Sequence, residues 1–96
     1  MQFLVIARRN SDRFTEADFT PRLEAEAEEA RTLYAVGFLR QIWNRSDMAG
    51  ACMLIEAADM EAARAGLQRL PLVAAGMLDI GELIPLRPYR GFGPRG

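Results

Sequence analysis

The chain contains no histidine and no lysine, so each of its 12 basic residues is an arginine. Without imidazole, no side chain titrates near neutral pH by default, which excludes histidine acid/base catalysis, a Ser-His-Asp triad and histidine-ligated zinc or iron. Without lysine there is no Schiff-base amine and no phosphate-cradling P-loop lysine. Chemistry is left to carboxylates, arginines, hydroxyls and a single cysteine. That residue, Cys52, has no internal disulfide partner and sits among Ala51, Met53 and Leu54, where it reads as a small core-packing group. No apolar run approaches the roughly 20 residues that span a bilayer. The N-terminal MQFLVIARRN carries its charges after the apolar run and shows no small-residue cleavage site, unlike a signal peptide. A cytoplasmic location is expected. A net charge of -1 gives no long-range attraction for nucleic acid or an anionic membrane.

What is present describes one small domain. With 96 residues, half of them hydrophobic and 26% charged, the chain is too apolar for disorder and long enough for a single core. Phe3, Leu4, Val5 and Ile6 form a β-branched and aromatic run, read as a strand over residues 2 to 9. The segment 10 to 20 reads as a loop, with a helical turn after Thr15, pinned by Phe14 and Phe19. Thr20 followed by Pro21 signals a helix start, and Leu23, Ala27, Ala30 and Tyr34 recur at helical spacing as its buried stripe. That helix runs from 21 to 36, and Gly37 supplies the left-handed residue that ends it. Residues 38 to 45 and 50 to 57 read as two strands joined by a polar turn containing Ser46, Asp47 and Gly50. Asp59 caps a second helix with Met60, Ala63, Leu67 and Leu70 on its apolar side, weakened at Gly66 and stopped by Pro71. Met77 to Leu86 reads as a fourth strand, and Pro85, which cannot donate to a ladder, marks either a sheet edge or the strand's end.

The order β-α-β-β-α-β is the ferredoxin-like split βαβ arrangement, an α+β fold whose four-stranded antiparallel sheet carries two helices on one face. The other face is left as a broad apolar surface, and a second copy of the chain is the economical cover. At least a homodimer is therefore expected. Residues 1 to 86 form the domain. The stretch from 87 to 96, rich in Arg, Gly and Pro around Tyr89 and Phe92, is a tail without core pattern, read either as mobile or as an arm over a neighbour.

Three segments, taken in their order and spacing, resemble the muconolactone delta-isomerase family over about residues 1 to 86. They are the helix beginning Leu23-Glu24-Ala25-Glu26, the strand Gly37-Phe38-Leu39-Arg40-Gln41-Ile42-Trp43, and Leu70-Pro71-Leu72 followed by Leu78-Asp79-Ile80. The resemblance implies a ferredoxin-like dimeric α+β barrel that assembles further, often into a decamer. It also implies a proton shift on an unsaturated lactone with neither metal nor organic cofactor. The chain departs from the family pattern at Gln41, where the family's strand carries histidine, and at Ala27, where a lysine is expected. Both changes remove a polar group from the expected substrate contacts.

A proton shift needs a carboxylate base and a group that holds the developing enolate. Glu26 lies about 60° round the helix from Leu23, toward Leu33, so it borders the buried stripe and is the best-placed base. The competing reading is a solvated glutamate on a charged helix. Arg40 is placed with Ile42 on one side of its strand, and Gln41 with Leu39 and Trp43 on the other. Arg40 then holds a substrate anion or pairs with a structural carboxylate. Trp43 walls a pocket or fills the core, and the same alternatives apply to Tyr34 in the helix stripe. A metal site built from the glutamates of this helix is not expected. Beside a cofactor-free isomerase of a small lactone-like or oxygenated substrate stand two alternatives of the same fold: a non-catalytic small-ligand-binding or assembly module, and a cofactor-free monooxygenase-like barrel.

Overall fold

The computed structural model describes residues 1 to 93; the last three residues of the tail lie outside the described residues. The chain runs β1 (Gln2–Arg9), α1 (Glu16–Phe19), a 3-10 turn (Thr20–Arg22), α2 (Leu23–Ala35), β2 (Leu39–Asn44), β3 (Gly50–Glu56), α3 (Met60–Leu67), α4 (Pro71–Ala74) and β4 (Leu78–Leu86). The four strands form one antiparallel sheet in the order β2-β3-β1-β4. Helices cover one face, which makes this the ferredoxin-like α+β fold expected from the sequence. β4 is an edge strand, and Pro85 lies near its end, opposite Phe3.

Strand alternation sorts the sheet residues. Phe3, Val5 and Ala7 of β1 and Ala51, Met53 and Ile55 of β3 are buried under the helices. All of these but Ala51 join Phe19, Leu33, Ala63, Leu67, Leu70, Leu72, Val73 and Leu78 in one core. Leu4, Ile6, Cys52, Leu54 and Ile84 point the other way and stay partly exposed on the open face. Cys52 therefore lies outside the core, contrary to the reading from its apolar neighbours, because its odd register with Met53 puts it on the uncovered side.

Several local signals act as expected. Gly37 takes φ +84°, and Phe38 N–H and Gly37 N–H donate to the carbonyls of Leu33 and Tyr34, closing α2 with a paired C-terminal motif. Asp59 Oδ1 accepts from Ala62 N–H at 2.8 Å, capping α3. Gly66 is explained by Phe38: a Cβ at position 66 would collide with that ring, so the residue that weakens the helix is what lets the strand entry pack against it. Phe14 and Phe19 meet edge-to-face with centroids 6.3 Å apart and anchor the loop after β1.

Two readings are corrected. The helical turn expected after Thr15 is present as α1, but it runs on through the 3-10 turn into α2, so Thr20 does not cap the long helix. Asp18 accepts from the Thr15 backbone N–H at 2.8 Å and its hydroxyl at 3.2 Å, half of a reciprocal cap, while the Thr20 hydroxyl donates back to the Glu16 carbonyl and Pro21 lies within the 3-10 turn. The inward face of α2 is also rotated from the expected stripe. Leu33 is its one fully buried residue and Tyr34 is 66% exposed, so the inward line runs Glu26, Ala30, Leu33. Leu23 and Ala27 border an open cleft, and Ala30 both lines that cleft and packs against the core.

Candidate functional site

The cleft opens between α2 and the sheet where β1, β2 and β3 end nearby, and it encloses about 410 Å³. Its apolar walls are Leu23, Ala27 and Ala30 from α2, Ile42 from β2, and Leu72 and Leu78. Set into these walls are four polar side chains: the Glu26 carboxylate, the Arg9 and Arg31 guanidinium groups and the Asn44 amide. Few convergent polar groups in an apolar recess is the usual form of a small-molecule site.

Glu26 is fixed by a contact across the fold. Its Oε1 accepts from the backbone N–H of Leu72 at 3.0 Å. Pro71, the first residue of α4, has no N–H, so Leu72 offers the first donor of that short helix, and the distant carboxylate caps it. Burial pushes the Glu26 carboxyl above its ordinary range, and the Leu72 hydrogen bond offsets this only in part. One oxygen is thus engaged and the group is poised to hold a proton more strongly than an exposed glutamate.

Arg9 was not singled out by sequence. It is the fourth member of the row Phe3, Val5, Ala7, Arg9, so it points to the helix side where the apolar row runs out, and its cross-strand neighbour is the buried Leu78. A charge ending a buried row was the available signal. The guanidinium stacks 4.6 Å over the Phe19 ring and its Nη1 donates to Glu16 Oε1 at 3.1 Å. Arg31, at the cleft mouth, pairs with Glu24 at 3.0 Å.

The other named residues divide between two places. β2 pairs with β3 through a register shift: Leu39 faces Ile55 and Gln41 faces Leu54, so Arg40 is the extra residue of a bulge. The alternation expected along β2 is therefore broken at that point. Leu39 and Ile42 share the helix side, opposite Ile55 and Met53, whereas Gln41 and Trp43 share the open side, opposite Leu54 and Cys52. Trp43, 49% exposed, touches the Glu26 cleft only at its rim and is no core residue. Arg40, Gln41 and Tyr34 line a second cleft of similar volume with Ala30, Arg31, Leu39 and Ile42. Glu26 and Arg40 thus line different clefts, which meet along Ala30, Arg31 and Ile42. Among the described residues, no group of three or more acidic or sulfur side chains is placed to hold a metal ion, and no helix is long and apolar enough to cross a membrane.

No family model matches the chain and no curated protein matches it in sequence. In structure it is similar to 5-chloro-2-hydroxyhydroquinone dehydrochlorinase (TftG) from Burkholderia phenoliruptrix AC1100, solved in complex with 2,5-dihydroxybenzoquinone. The two share a TM-score of 0.68 at 17% identity, over 95% of this chain and 96% of the other. At that identity the likeness establishes the shared fold over nearly the whole chain.

Proposed function

We propose that the chain is a cofactor-free isomerase of the muconolactone-isomerase type, moving a proton on a small lactone-like or oxygenated ring. The observation that carries this reading is Glu26, a half-buried carboxylate with raised proton affinity facing an apolar cleft. Glu26 takes a proton from the carbon beside a substrate carbonyl, and the C–H electron pair passes into the carbonyl as an enolate. The same carboxylic acid then returns the proton to the far carbon of the conjugated system, so the double bond shifts and the base is regenerated. The Asn44 amide is available to donate to the enolate oxygen. Arg40, with Gln41 and Tyr34, serves the distal part of the substrate in the adjoining cleft, and Trp43 forms the rim. The named activity and bound quinone of the structural neighbour support a small oxygenated ring as the substrate class.

Two copies pairing through their open faces would bury Leu4, Ile6, Leu54 and Ile84, which supports a homodimer as the minimal unit. The second reading, a ligand-binding module without turnover, draws on Ala27, which lines the cleft where the resembling family has lysine. Ultraviolet absorbance assays of lactone and enol isomerisation separate the two. Turnover lost about 10²-fold or more in Glu26→Gln is expected. Turnover unaffected by that substitution removes the assignment, and ligand binding without turnover by the wild type favours the module.

A further inference from the structure

We propose that Arg9 is the specificity-determining residue of the Glu26 cleft, selecting ligands that carry a planar organic oxyanion, either a carboxylate or an ionised enol. The choice of substrate class rests on the cleft being the functional site proposed above. Three observations lead to Arg9. First, its side chain is only 23% exposed, against 65% for Arg31, and a guanidinium shielded from water binds an anion more strongly than a solvated one. Second, it is held in place: the ring of Phe19 lies beneath it and Glu16 takes Nη1, with Oε1 at 3.1 Å and Oε2 at 3.4 Å. Among the described residues, its other N–H groups donate to no side chain, which leaves a fork free for a second oxyanion.

Third, Glu16 is itself 77% exposed, so a carboxylate already rests on this guanidinium from the solvent side at little cost. The cleft behind offers apolar walls from Leu23, Ala27, Ile42 and Leu78 for the body of the ligand. An anion with a small unsaturated ring satisfies both halves of the site, and a neutral analogue leaves the guanidinium unmatched. Lysine would not serve equally, because a point charge lacks the planar fork.

The test uses the full chain and three probes: benzoate, 2,5-dihydroxybenzoquinone (ionised at neutral pH) and neutral benzamide. Binding is followed by titration calorimetry and by amide shifts of Ala27, Ala30 and Leu72. Both anions, or the one that matches the site, are expected to bind the wild type at least about tenfold more tightly than benzamide. Arg9→Gln removes that preference and leaves benzamide binding as it was, and Arg9→Lys restores part of it. The anion that loses more names the source of the oxyanion. Unchanged anion affinity in a folded Arg9→Gln or Arg9→Lys protein overturns the proposal. Glu26→Gln keeps the anion preference while losing turnover, so loss of the base assignment and loss of the Arg9 assignment give different results.

Discussion

The carboxylate of Glu26 reaches 46 residues along the chain to accept the backbone N–H of Leu72 at 3.0 Å, joining α2 to the first turn of α4. The contact orients a group whose burial works against its charge.

That opposition predicts a pH-dependent stability. Because the native carboxyl is raised above its ordinary 4.5, the folded chain holds this proton to higher pH than the unfolded chain. The contribution of Glu26 is most favourable below 4.5 and is lost as pH rises through the raised native value. Glu26→Gln is therefore expected to melt higher at pH 8, by a few tenths of a kcal/mol after allowing for solvent screening of a half-exposed group. The gain vanishes near pH 4. Thermal unfolding by circular dichroism at the two pH values checks this, and a mutant less stable at pH 8 would mean that the Leu72 contact outweighs burial.

Gly66→Ala should destabilise, although alanine is the better helix former by about 1 kcal/mol. The added methyl meets the Phe38 ring, and overpacking of this kind costs about 1 to 3 kcal/mol. Urea unfolding of Gly66→Ala with and without Phe38→Leu is the check. Recovery in the double variant is the expected sign of a local collision.

Asp59→Ala removes the acceptor for Ala62 N–H at the start of α3 and is expected to cost about 0.5 to 2 kcal/mol. Asp59→Asn should recover most of it. A loss of the same size in both would point to charge and not to the hydrogen bond.

Leu54→Arg places a charge in the middle of the open sheet face, next to Cys52 and opposite Leu4 and Gln41. Sedimentation is expected to show an oligomer for the wild type and monomers for the variant, with Trp43 emission shifted to the red. A monomeric wild type at high protein concentration would remove the face-to-face pairing.

Much of this architecture could be read from residue types because the punctuation is strong. Gly37, Asp59 and the polar turn before Gly50 each end or begin an element for a local reason, and the strand runs between them follow; Pro71, expected to stop the second helix, instead opens α4 after α3 has already ended at Leu67. What escaped was set by register and by distant neighbours. Period-two alternation carries no sign of the extra residue at Arg40, so Leu39 was placed on the wrong side of β2. The reciprocal cap at Thr15 and Asp18 overrode the start signal at Thr20-Pro21. Small residues at 27 and 30 gave the helix stripe too little contrast to fix its rotation, which is why Tyr34 was read as packed. Glu26 was legible because it borders that stripe on either rotation; Arg9 was legible only by extending the row of Phe3, Val5 and Ala7 one step past the apolar residues.

The bulge at Arg40 sets which way the rest of this edge strand presents its side chains. Deleting Arg40 would let the pleat run without interruption and leave every later residue opposite its present partner, Gln41 against Leu54 and Ile42 against Met53. Straightening the strand with Arg40 kept in the pleat is what would turn the remainder over, so that Ile42 and Asn44 leave the cleft wall and Gln41 and Trp43 replace them. One unpaired residue thus decides which side chains line the recess and which meet a neighbouring surface, a choice that no single substitution along the same strand could reverse.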